Sequence, residues 1–457
     1  MENFVIMNMV HNLLKKRENR EKFTVCIVGC GKKGLFQACL FAEAGFKVIG
    51  VDKNHKIIEM VRKGKSPFEE PDLTEKIKKY VEERRLTVTT NGREAASKSD
   101  IIILAVNTEI DEKFRLDYSN IERACEELAK GLRQGSLFIV TSTVAPGITE
   151  TLVKEKLEEN SGLKAGRDFG LAFSPAYAPA KNFHDMMNYI RIVGGIDHKS
   201  LEVARSVLET IIKTRTISVS NIKTAEAIEL FQNVYFNINV ALANELSIFC
   251  EKIGIDYLEA QKIANINSNC HLLTPKLLGG RMLNNSYILT ESAEELNVKL
   301  QVIKTARKVN ENMIKHIIQL LKEAFKEIGK PFRRARITIL GISCKPNIKD
   351  LRSSGTLKIV RMLIEKGIKV KVYDPYLKRR EMAELECPVE SSLKKAVKWA
   401  DCLLITVGHE QFRKLNLKEL KTMMRNPPAI IDLAHVIDPQ KAKKEGIFLK
   451  SLGRGNF

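Results

Sequence analysis

The strongest constraint on the fold is a glycine-rich turn near the N-terminus. The turn reads Gly29-Cys30-Gly31-Lys32-Lys33-Gly34, follows the predicted strand Thr24 to Gly29 and opens the helix-like run Leu35 to Ala44. A second predicted strand, Lys47 to Asp52, ends in an acidic residue about 18 positions later. This order of strand, turn, helix, strand and acid predicts a β-α-β unit that binds a dinucleotide.

Each residue of this pattern has a physical task. Gly29 permits the tight turn, Gly31 lets backbone N–H groups approach a pyrophosphate, and Gly34 lets helix and strand pack closely. The N-terminus of the helix adds partial positive charge. Asp52 is expected to accept hydrogen bonds from ribose hydroxyls, which favours NAD over NADP.

Strands alternate with helices in two parts of the chain. Short apolar runs predict further strands at Leu86 to Thr90, Ile101 to Val106, Leu137 to Thr141, Gly170 to Ser174, Ile337 to Gly341, Lys369 to Asp374, Cys402 to Thr406 and Ile430 to Leu433. From about 221 to 254, apolar residues recur at helical spacing, which predicts one long central helix. The fold class is therefore α/β, with two Rossmann-like doubly wound domains joined by a central helical domain.

The same patterns set the expected domain boundaries. We expect an N-terminal extension at 1–22, an NAD-binding domain at 23–218, a central helical domain at 219–330 and a second Rossmann-like domain at 331–457. Ligands of open α/β sheets bind at the carboxyl ends of the strands. Residues that directly follow predicted strands are therefore the first candidates for a functional site.

Composition excludes several classes of protein. The net charge is +20, from 75 Lys+Arg against 55 Asp+Glu, but basic and acidic residues alternate along the predicted helices, as on solvated faces rather than a nucleic-acid surface. No apolar run reaches the roughly 20 residues of a membrane span. The nine cysteines form neither a CxxC motif nor a Cys/His cluster, which argues against a metal site and favours a reducing, cytoplasmic compartment.

Short motifs in order along the chain resemble the nucleotide-sugar dehydrogenases, a family that includes UDP-glucose and UDP-N-acetylmannosamine dehydrogenases. The resemblance runs from about Phe23 to the last predicted strand. Its markers are Glu70-Pro71-Asp72-Leu73, Ser142-Thr143-Val144-Ala145-Pro146-Gly147, Arg191-Ile192-Val193-Gly194-Gly195, Thr224-Ala225-Glu226, Asn244-Glu245-Leu246, Lys345-Pro346-Asn347, Asp350-Leu351-Arg352-Ser353 and Tyr373-Asp374-Pro375.

The resemblance implies a cytosolic enzyme that oxidises the C6 alcohol of a nucleotide sugar to a carboxylate, with two NAD+ and one water. The first hydride transfer gives an aldehyde, a cysteine thiolate adds to it, the second transfer gives a thioester, and water hydrolyses the thioester. The resemblance also implies a homodimer formed through the central helix. Residues implied in binding are Thr108, Thr143 and Arg352 for NAD, and Asn233 and Lys345 for the UDP-sugar.

Four positions of the family's chemistry differ in this chain. Met282 stands where the catalytic cysteine belongs, and Ser286 stands where an aspartate belongs. Glu229 replaces a lysine of the central helix, and Ala176 replaces the glutamate of a Ser-Pro-Glu motif. A thioether has no ionisable proton and cannot form the thiohemiacetal, so the resemblance fails at the reacting atom.

Two functional hypotheses follow. In the first, the chain binds NAD and a UDP-sugar without the four-electron oxidation, as a homodimer or paired with an active relative. In the second, it is an active UDP-glucose or UDP-N-acetylmannosamine 6-dehydrogenase. That enzyme either uses a substitute nucleophile such as Cys270 or stops at the aldehyde, with Thr143 and a water as the remaining proton acceptor.

Overall fold

The computed structural model of this 457-residue chain describes residues 6–8, 14–68, 70–110, 116–176, 183–351, 354–377, 382 and 385–455. The chain divides into two compact units. The first unit comprises Met1–Gln232 and Glu291–Leu296, and the second comprises Asn233–Thr290 and Asn297–Phe457.

Fifteen strands and eighteen helices are found in the described residues. The strands are β1 Thr24–Val28, β2 Lys47–Val51, β3 Leu86–Thr89, β4 Ile101–Leu104, β5 Glu109–Ile110, β6 Leu116–Asp117, β7 Leu137–Val140, β8 Gly170–Phe173, β9 Arg191–Gly195, β10 Thr216–Ser218, β11 Arg336–Leu340, β12 Lys369–Tyr373, β13 Cys402–Ile405, β14 Ala429–Asp432 and β15 Phe448–Ser451. The helices are α1 Arg17–Arg20, α2 Lys32–Ala44, α3 His55–Arg62, α4 Pro71–Glu82, α5 Gly92–Ser97, α6 Ser119–Ala129, α7 Lys154–Ser161, α8 Phe183–Met187, α9 His198–Glu209, α10 Ile222–Ile253, α11 Tyr257–Ala264, α12 Gly280–Glu295, α13 Gln301–Glu327, α14 Thr356–Glu365, α15 Leu393–Trp399, α16 Glu410–Arg413, α17 Leu417–Met423 and α18 Pro439–Lys444.

The first unit is built on an eight-stranded sheet in the order β10-β9-β8-β7-β4-β1-β2-β3. All neighbouring strands are parallel except β8 and β9, which are antiparallel. Every residue of β4 and β7 is buried, as expected for parallel strands covered by helices on both faces. Near the N-terminus, Ile6, Met7 and Leu14 are buried in the same hydrophobic core.

The second unit is built on a parallel five-stranded sheet in the order β12-β11-β13-β14-β15. Its strand order repeats the order β2-β1-β4-β7-β8 of the first sheet. The helix α13 covers this sheet with an apolar face that includes Met313, Ile317, Leu321 and Phe325. The two sheets are therefore two versions of one doubly wound plan.

Both sheets carry a carboxylate at the edge where the strands begin, partly exposed in the first unit and buried in the second. In the first unit, Asp100 precedes β4, and its carboxylate accepts hydrogen bonds from Thr24 N (2.8 Å) and Arg133 Nη2 (2.8 Å). In the second unit, Asp401 precedes β13, and its carboxylate accepts one from Arg336 N (3.1 Å). Each carboxylate thus fixes the start of the strand next to its own.

The predicted fold class is confirmed. The predicted strands are all present, with bounds that differ by one or two residues, and the central helix runs over Ile222–Ile253. The sequence patterns did not predict the short pair β5–β6, the strand β9 or the edge strands β10 and β15. In β9 a buried arginine and two glycines interrupt the apolar run. Within the described parts of the chain, every helix is too short or too polar to cross a lipid bilayer.

We expect Asp401→Asn to lower the free energy of unfolding by about 1–3 kcal/mol. The side chain is 8% exposed, and its charge faces Lys330 Nζ (2.8 Å) and Arg425 Nε (3.2 Å). Urea unfolding measures the loss. The matched control is Glu410→Gln, because the pair between Glu410 and Lys414 lies on the surface and should matter far less. Equal effects of the two variants would contradict the role given to Asp401.

Candidate functional site

The glycine turn between β1 and α2 has the shape that a dinucleotide requires. Gly29 has a φ of +100°, and a Cβ added there would lie 2.7 Å from the carbonyl oxygen of Ala105. A Cβ at Gly34 would lie 1.8 Å from the carbonyl oxygen of Gly29, so only glycine lets the helix approach the strand. At Gly31 a Cβ would meet nothing within 4 Å. The open space over this turn fits a pyrophosphate, which a side chain there would displace.

Asp52, which directly follows β2, braces this turn. Its Oδ2 accepts a hydrogen bond from Cys30 N (2.8 Å), and its Oδ1 accepts one from Asn54 N (2.9 Å). A carboxylate has about four lone-pair positions, so Asp52 keeps the capacity to accept ribose hydroxyls. Of the residues predicted for the dinucleotide, the three glycines and Asp52 are therefore brought together at one turn.

Two lysines add positive charge beside the turn. Lys32 forms an ion pair with Glu70, and both side chains are partly buried. The Nζ of Lys33 lies 3.5 Å from the carbonyl oxygen of Ala176, the residue that stands in place of the family's glutamate. Ala176 is 2% exposed and follows β8. The alanine methyl group is therefore packed in the interior and offers no polar atom to a ligand.

Two threonines and one glutamate are connected at the edge where the strands of the first sheet end. Thr108 follows β4, and its hydroxyl donates to the carbonyl oxygen of Thr143, which follows β7. The hydroxyl of Thr143 donates to Oε1 of Glu229 on α10 (2.7 Å). Thr143 is half-buried, whereas Glu229 is 5% exposed. A buried carboxylate thus lies directly behind a hydroxyl at this edge.

The charge of Glu229 is balanced within the first unit. Burial raises the pKa of Glu229, and the positive charges of Lys33 and Arg191 act in the opposite direction. Burial also lowers the pKa of Arg191 to about 10. The Nη1 of Arg191 donates to the carbonyl oxygen of Pro175 (3.1 Å). Glu229 therefore replaces the family's lysine in an environment that already holds two cations.

A second glutamate of α10 has a structural task. Glu226 is buried, and its carboxylate accepts hydrogen bonds from the backbone N–H groups of Gly147 and Thr149. Both acceptor bonds hold the loop that follows β7. The Glu226 side chain thus connects α10 with the loop after β7, two segments that are far apart in the sequence.

The second unit repeats the braced turn at the end of β11. Gly341 has a φ of +85°, and a Cβ there would lie 2.7 Å from Val407 Cβ. Oδ2 of Asp374, which directly follows β12, accepts hydrogen bonds from Ile342 N (2.9 Å) and Ser343 N (3.0 Å). Lys345, predicted to bind the nucleotide sugar, lies half-buried in the loop that this carboxylate holds.

A buried histidine in this loop cluster was missed at the level of sequence. His409 is fully buried, and its Nδ1 accepts a hydrogen bond from Asn347 N (2.9 Å), so Nε2 carries the proton. Nε2 lies 3.2 Å from Asp374 Oδ2 and 3.0 Å from Ser343 Oγ. Its position soon after β13, on the ligand-binding edge of the sheet, was the available signal.

The substituted thiol region belongs to helix α12 of the second unit. Met282 lies in the first turn of this helix, and its side chain is outside the described residues, as is all of Arg352. Ser286 is buried one turn later, where its Oγ accepts a hydrogen bond from Asn237 Nδ2 (2.8 Å). The position of the family's aspartate is thus occupied by a neutral group held inside the fold.

The remaining predicted residues lie elsewhere in the second unit. Asn233 is half-buried on α10, and Cys270 is half-buried in the segment after α11. Unit by unit, the glycine turn, Thr108, Thr143, Ala176 and Glu229 belong to the first, whereas Asn233, Met282, Ser286 and Lys345 belong to the second.

We expect Asp374→Asn to lower the free energy of unfolding at neutral pH by about 1–3 kcal/mol. Burial alone would raise the pKa of Asp374, but hydrogen bonds from His409 and from the loop N–H groups hold it below its usual value. A depressed pKa stabilises the fold above the pKa of the unfolded chain, and this contribution disappears as pH falls through the folded value.

The difference between wild type and Asp374→Asn should therefore shrink below about pH 4. Chemical unfolding at a series of pH values measures it, with Glu365→Gln, an exposed change in α14, as the control. A difference that stays constant on acidification would show that the ionised carboxylate is not what holds the loop.

Known proteins with similar sequences are nucleotide-sugar dehydrogenases. The chain is 30% identical over 435 residues to a UDP-N-acetyl-D-mannosamine dehydrogenase of Pyrococcus horikoshii, covering 94% of this chain and 99% of the relative. It is 31% identical to a protein of the same name from Methanocaldococcus jannaschii, covering 94% and 96%. A solved UDP-D-ManNAc dehydrogenase structure from Pyrococcus horikoshii, 30% identical, covers 95% of this chain and 100% of its own with a TM-score of 0.87.

Family models match the chain in three consecutive parts. Residues 23–212 match the NAD binding domain, residues 223–312 the central domain and residues 338–439 the UDP binding domain of one family. The cofactor expected from the glycine turn is therefore NAD, as the family model states. The chain has the fold, two glycine turns that are each held by a carboxylate, and these matches, and it belongs to the UDP-glucose/GDP-mannose dehydrogenase family.

Proposed function

We propose that this protein binds NAD and a UDP-sugar but does not complete the oxidation of the sugar alcohol to a carboxylate. The observation that carries the proposal is the residue at the position of the family's thiol, which is Met282. Capture of an aldehyde as a thiohemiacetal needs a thiolate, and an alkylated sulfur cannot provide one.

Two further substitutions at positions of the family's catalytic residues support the same conclusion. Ser286 replaces a carboxylate and is hydrogen-bonded to Asn237. Ala176 is a buried methyl group where the family has an acid. Cys30 lies in the glycine turn, but burial raises the pKa of its thiol well above the usual value, which disfavours a nucleophilic thiolate. Of the family's catalytic set, Thr143 and Asn233 remain.

The binding residues, in contrast, are present. In this proposal Gly29, Gly31, Gly34 and Asp52 hold the dinucleotide, with Thr108, Thr143 and Arg352 as further contacts. Lys345 and Asn233 bind the nucleotide sugar. NAD+, when bound, supplies a hydride acceptor. The names of the relatives favour UDP-N-acetylmannosamine as the first sugar to test, and the scattered free cysteines support a cytoplasmic location.

The test is calorimetric titration with NAD+ and with UDP-N-acetylmannosamine or UDP-glucose, followed by mass spectrometry of the mixture. We expect both ligands to bind and no uronate to form. Gly31→Val should abolish NAD+ binding and leave sugar binding intact, because its side chain fills the open space over the turn. Two NADH per sugar, with a uronate product, would overturn the proposal, and loss of that product in Cys270→Ala would identify the substitute nucleophile.

We further propose that the second unit's part of α10 mediates dimerisation. Tyr235, Leu242, Phe249 and Ile253 follow helical spacing along one face, and their exposed fractions are between 44% and 62%. A row of large apolar side chains exposed in this way is typical of a protein interface. A second copy of the chain is the partner that we expect, and an active relative is the alternative.

The double variant Tyr235→Lys/Phe249→Lys should shift the protein from dimer to monomer in sedimentation experiments, because it places two charges in the apolar row. Thr422→Lys, an exposed change in α17, is the matched control and should leave the dimer intact. A wild-type protein that is monomeric alone and associates only with an active relative would replace the homodimer by a heteromer.

A further inference from the structure

The hydrogen bond between Thr143 and Glu229 in the first unit has no role in the ligand binding proposed above. The hydroxyl of Thr143 donates a hydrogen bond to Oε1 of Glu229 (2.7 Å) at the edge where the strands of the first sheet end. This is the edge at which open α/β sheets bind their ligands. Thr143 is half-buried, whereas Glu229 is buried. The hydroxyl of a partly exposed residue is thus linked to a buried carboxylate at this edge.

Comparison with Glu226 shows what is special about this contact. Glu226 lies one helical turn earlier and is also buried, its carboxylate accepts backbone N–H groups, and the hydroxyl that it faces, that of Thr149, is fully buried. Glu229 accepts from the hydroxyl of the half-buried Thr143, which both donates and accepts and can pass a proton on. The arrangement has the form of a proton relay of two members.

We propose that Glu229, acting through the Thr143 hydroxyl, is the proton acceptor for NAD-dependent oxidation of a nucleotide-sugar primary alcohol to the aldehyde, at which the reaction stops. This inference rests on the proposed function, since it supplies the first half of the family's reaction where the second half lacks its thiol. In this proposal Glu229 acts as a base at the position of the family's lysine, so the change of residue does not abolish the first oxidation.

The step balances. The alcohol carbon loses one hydrogen with two electrons as hydride to NAD+, and the alcohol oxygen loses its proton to Thr143 Oγ1. Thr143 in turn gives its own hydroxyl proton to Glu229 Oε1. A C–H and an O–H bond are broken, a carbonyl bond forms, and the products are aldehyde, NADH and a protonated Glu229 that later releases its proton to water.

The groups around Glu229 suit this role. Lys33 on α2 and Arg191 on β9 face it with positive charge, and Glu226 is the nearest acid of its own helix. Burial raises the pKa of Glu229, which makes the carboxylate a better proton acceptor, while the charges of Lys33 and Arg191 act in the opposite direction and favour its ionised form. Below its pKa the acid is protonated and the relay is blocked, so activity should rise with pH through that value.

The first test measures turnover with UDP-N-acetylmannosamine and NAD+ in the presence of semicarbazide, which traps the aldehyde. We expect one NADH per trapped aldehyde and no uronate. Glu229→Gln keeps the shape and the acceptor oxygen but cannot take a proton, and it should lower kcat about 100-fold or more. Thr143→Val should do the same, and Thr143→Ser should restore most of the rate because it returns the hydroxyl.

A second readout does not depend on turnover. Because NAD+ carries a positive nicotinamide ring, its binding should favour the ionised carboxylate and release protons. Calorimetry in two buffers of different ionisation enthalpy, repeated over a series of pH values, counts them. Glu229→Gln should abolish this proton release. Glu155→Gln, an exposed change in α7 of the same unit, is the control and should keep it and leave the acid limb of the rate profile unchanged.

The outcomes separate the two proposals. If NAD+ and the sugar bind but no aldehyde is trapped, or if Glu229→Gln keeps the wild-type rate and proton release, the relay is wrong and the proposed binding function stands. If neither ligand binds, both are wrong. If uronate forms with two NADH per sugar, the proposed function fails whatever Glu229 does.

Discussion

The carboxylate at the end of the second strand of each sheet holds the turn on which that unit's ligand site depends. In the first unit Asp52 accepts from Cys30 N, and in the second Asp374 accepts from Ile342 N and Ser343 N. Both turns contain a glycine with positive φ, whose freedom would leave the loop ill-defined without an anchor. A short acidic side chain supplies this anchor because it reaches several N–H groups from a position that the sheet fixes.

Each sheet also has a second carboxylate, at the edge where its strands begin. Hydrogen bonds to carboxylates therefore act at both ends of β1 and of β11. Asp100 and Asp401 hold the starts of β1 and β11, whose ends carry the glycine turns. When a hydrogen bond fixes the start of a strand, the carboxyl end of that strand has a defined position relative to the neighbouring strands. The similarity of the two units is therefore one of hydrogen bonds as well as of strand order.

Local patterns were enough to predict most of the fold. Buried parallel strands are continuous apolar runs, and α10 has a helical repeat over 32 residues, so both are visible without tertiary information. The strand β9 could not be predicted because its arginine is buried through partners elsewhere in the sequence, among them Gln37. The glycine turn and Asp52 were also predictable, since their spacing is local. The contact of Glu229 with Thr143 was not, because it depends on how α10 packs against the loop after β7.

That contact changes the meaning of the charge reversal. Read in sequence alone, glutamate in place of lysine removes the stabilisation of a negative oxygen and points to lost catalysis. In the folded unit the same carboxylate accepts a hydrogen bond from Thr143, and the positive charges of Lys33 and Arg191 compensate its negative charge. The two half-reactions of the family differ in what they require, since the first needs only a proton acceptor and a hydride acceptor and the second needs a nucleophile. In the function that we propose, a chain with a thioether in place of the thiol and a buried carboxylate in place of the lysine meets the requirements of the first half-reaction and not those of the second.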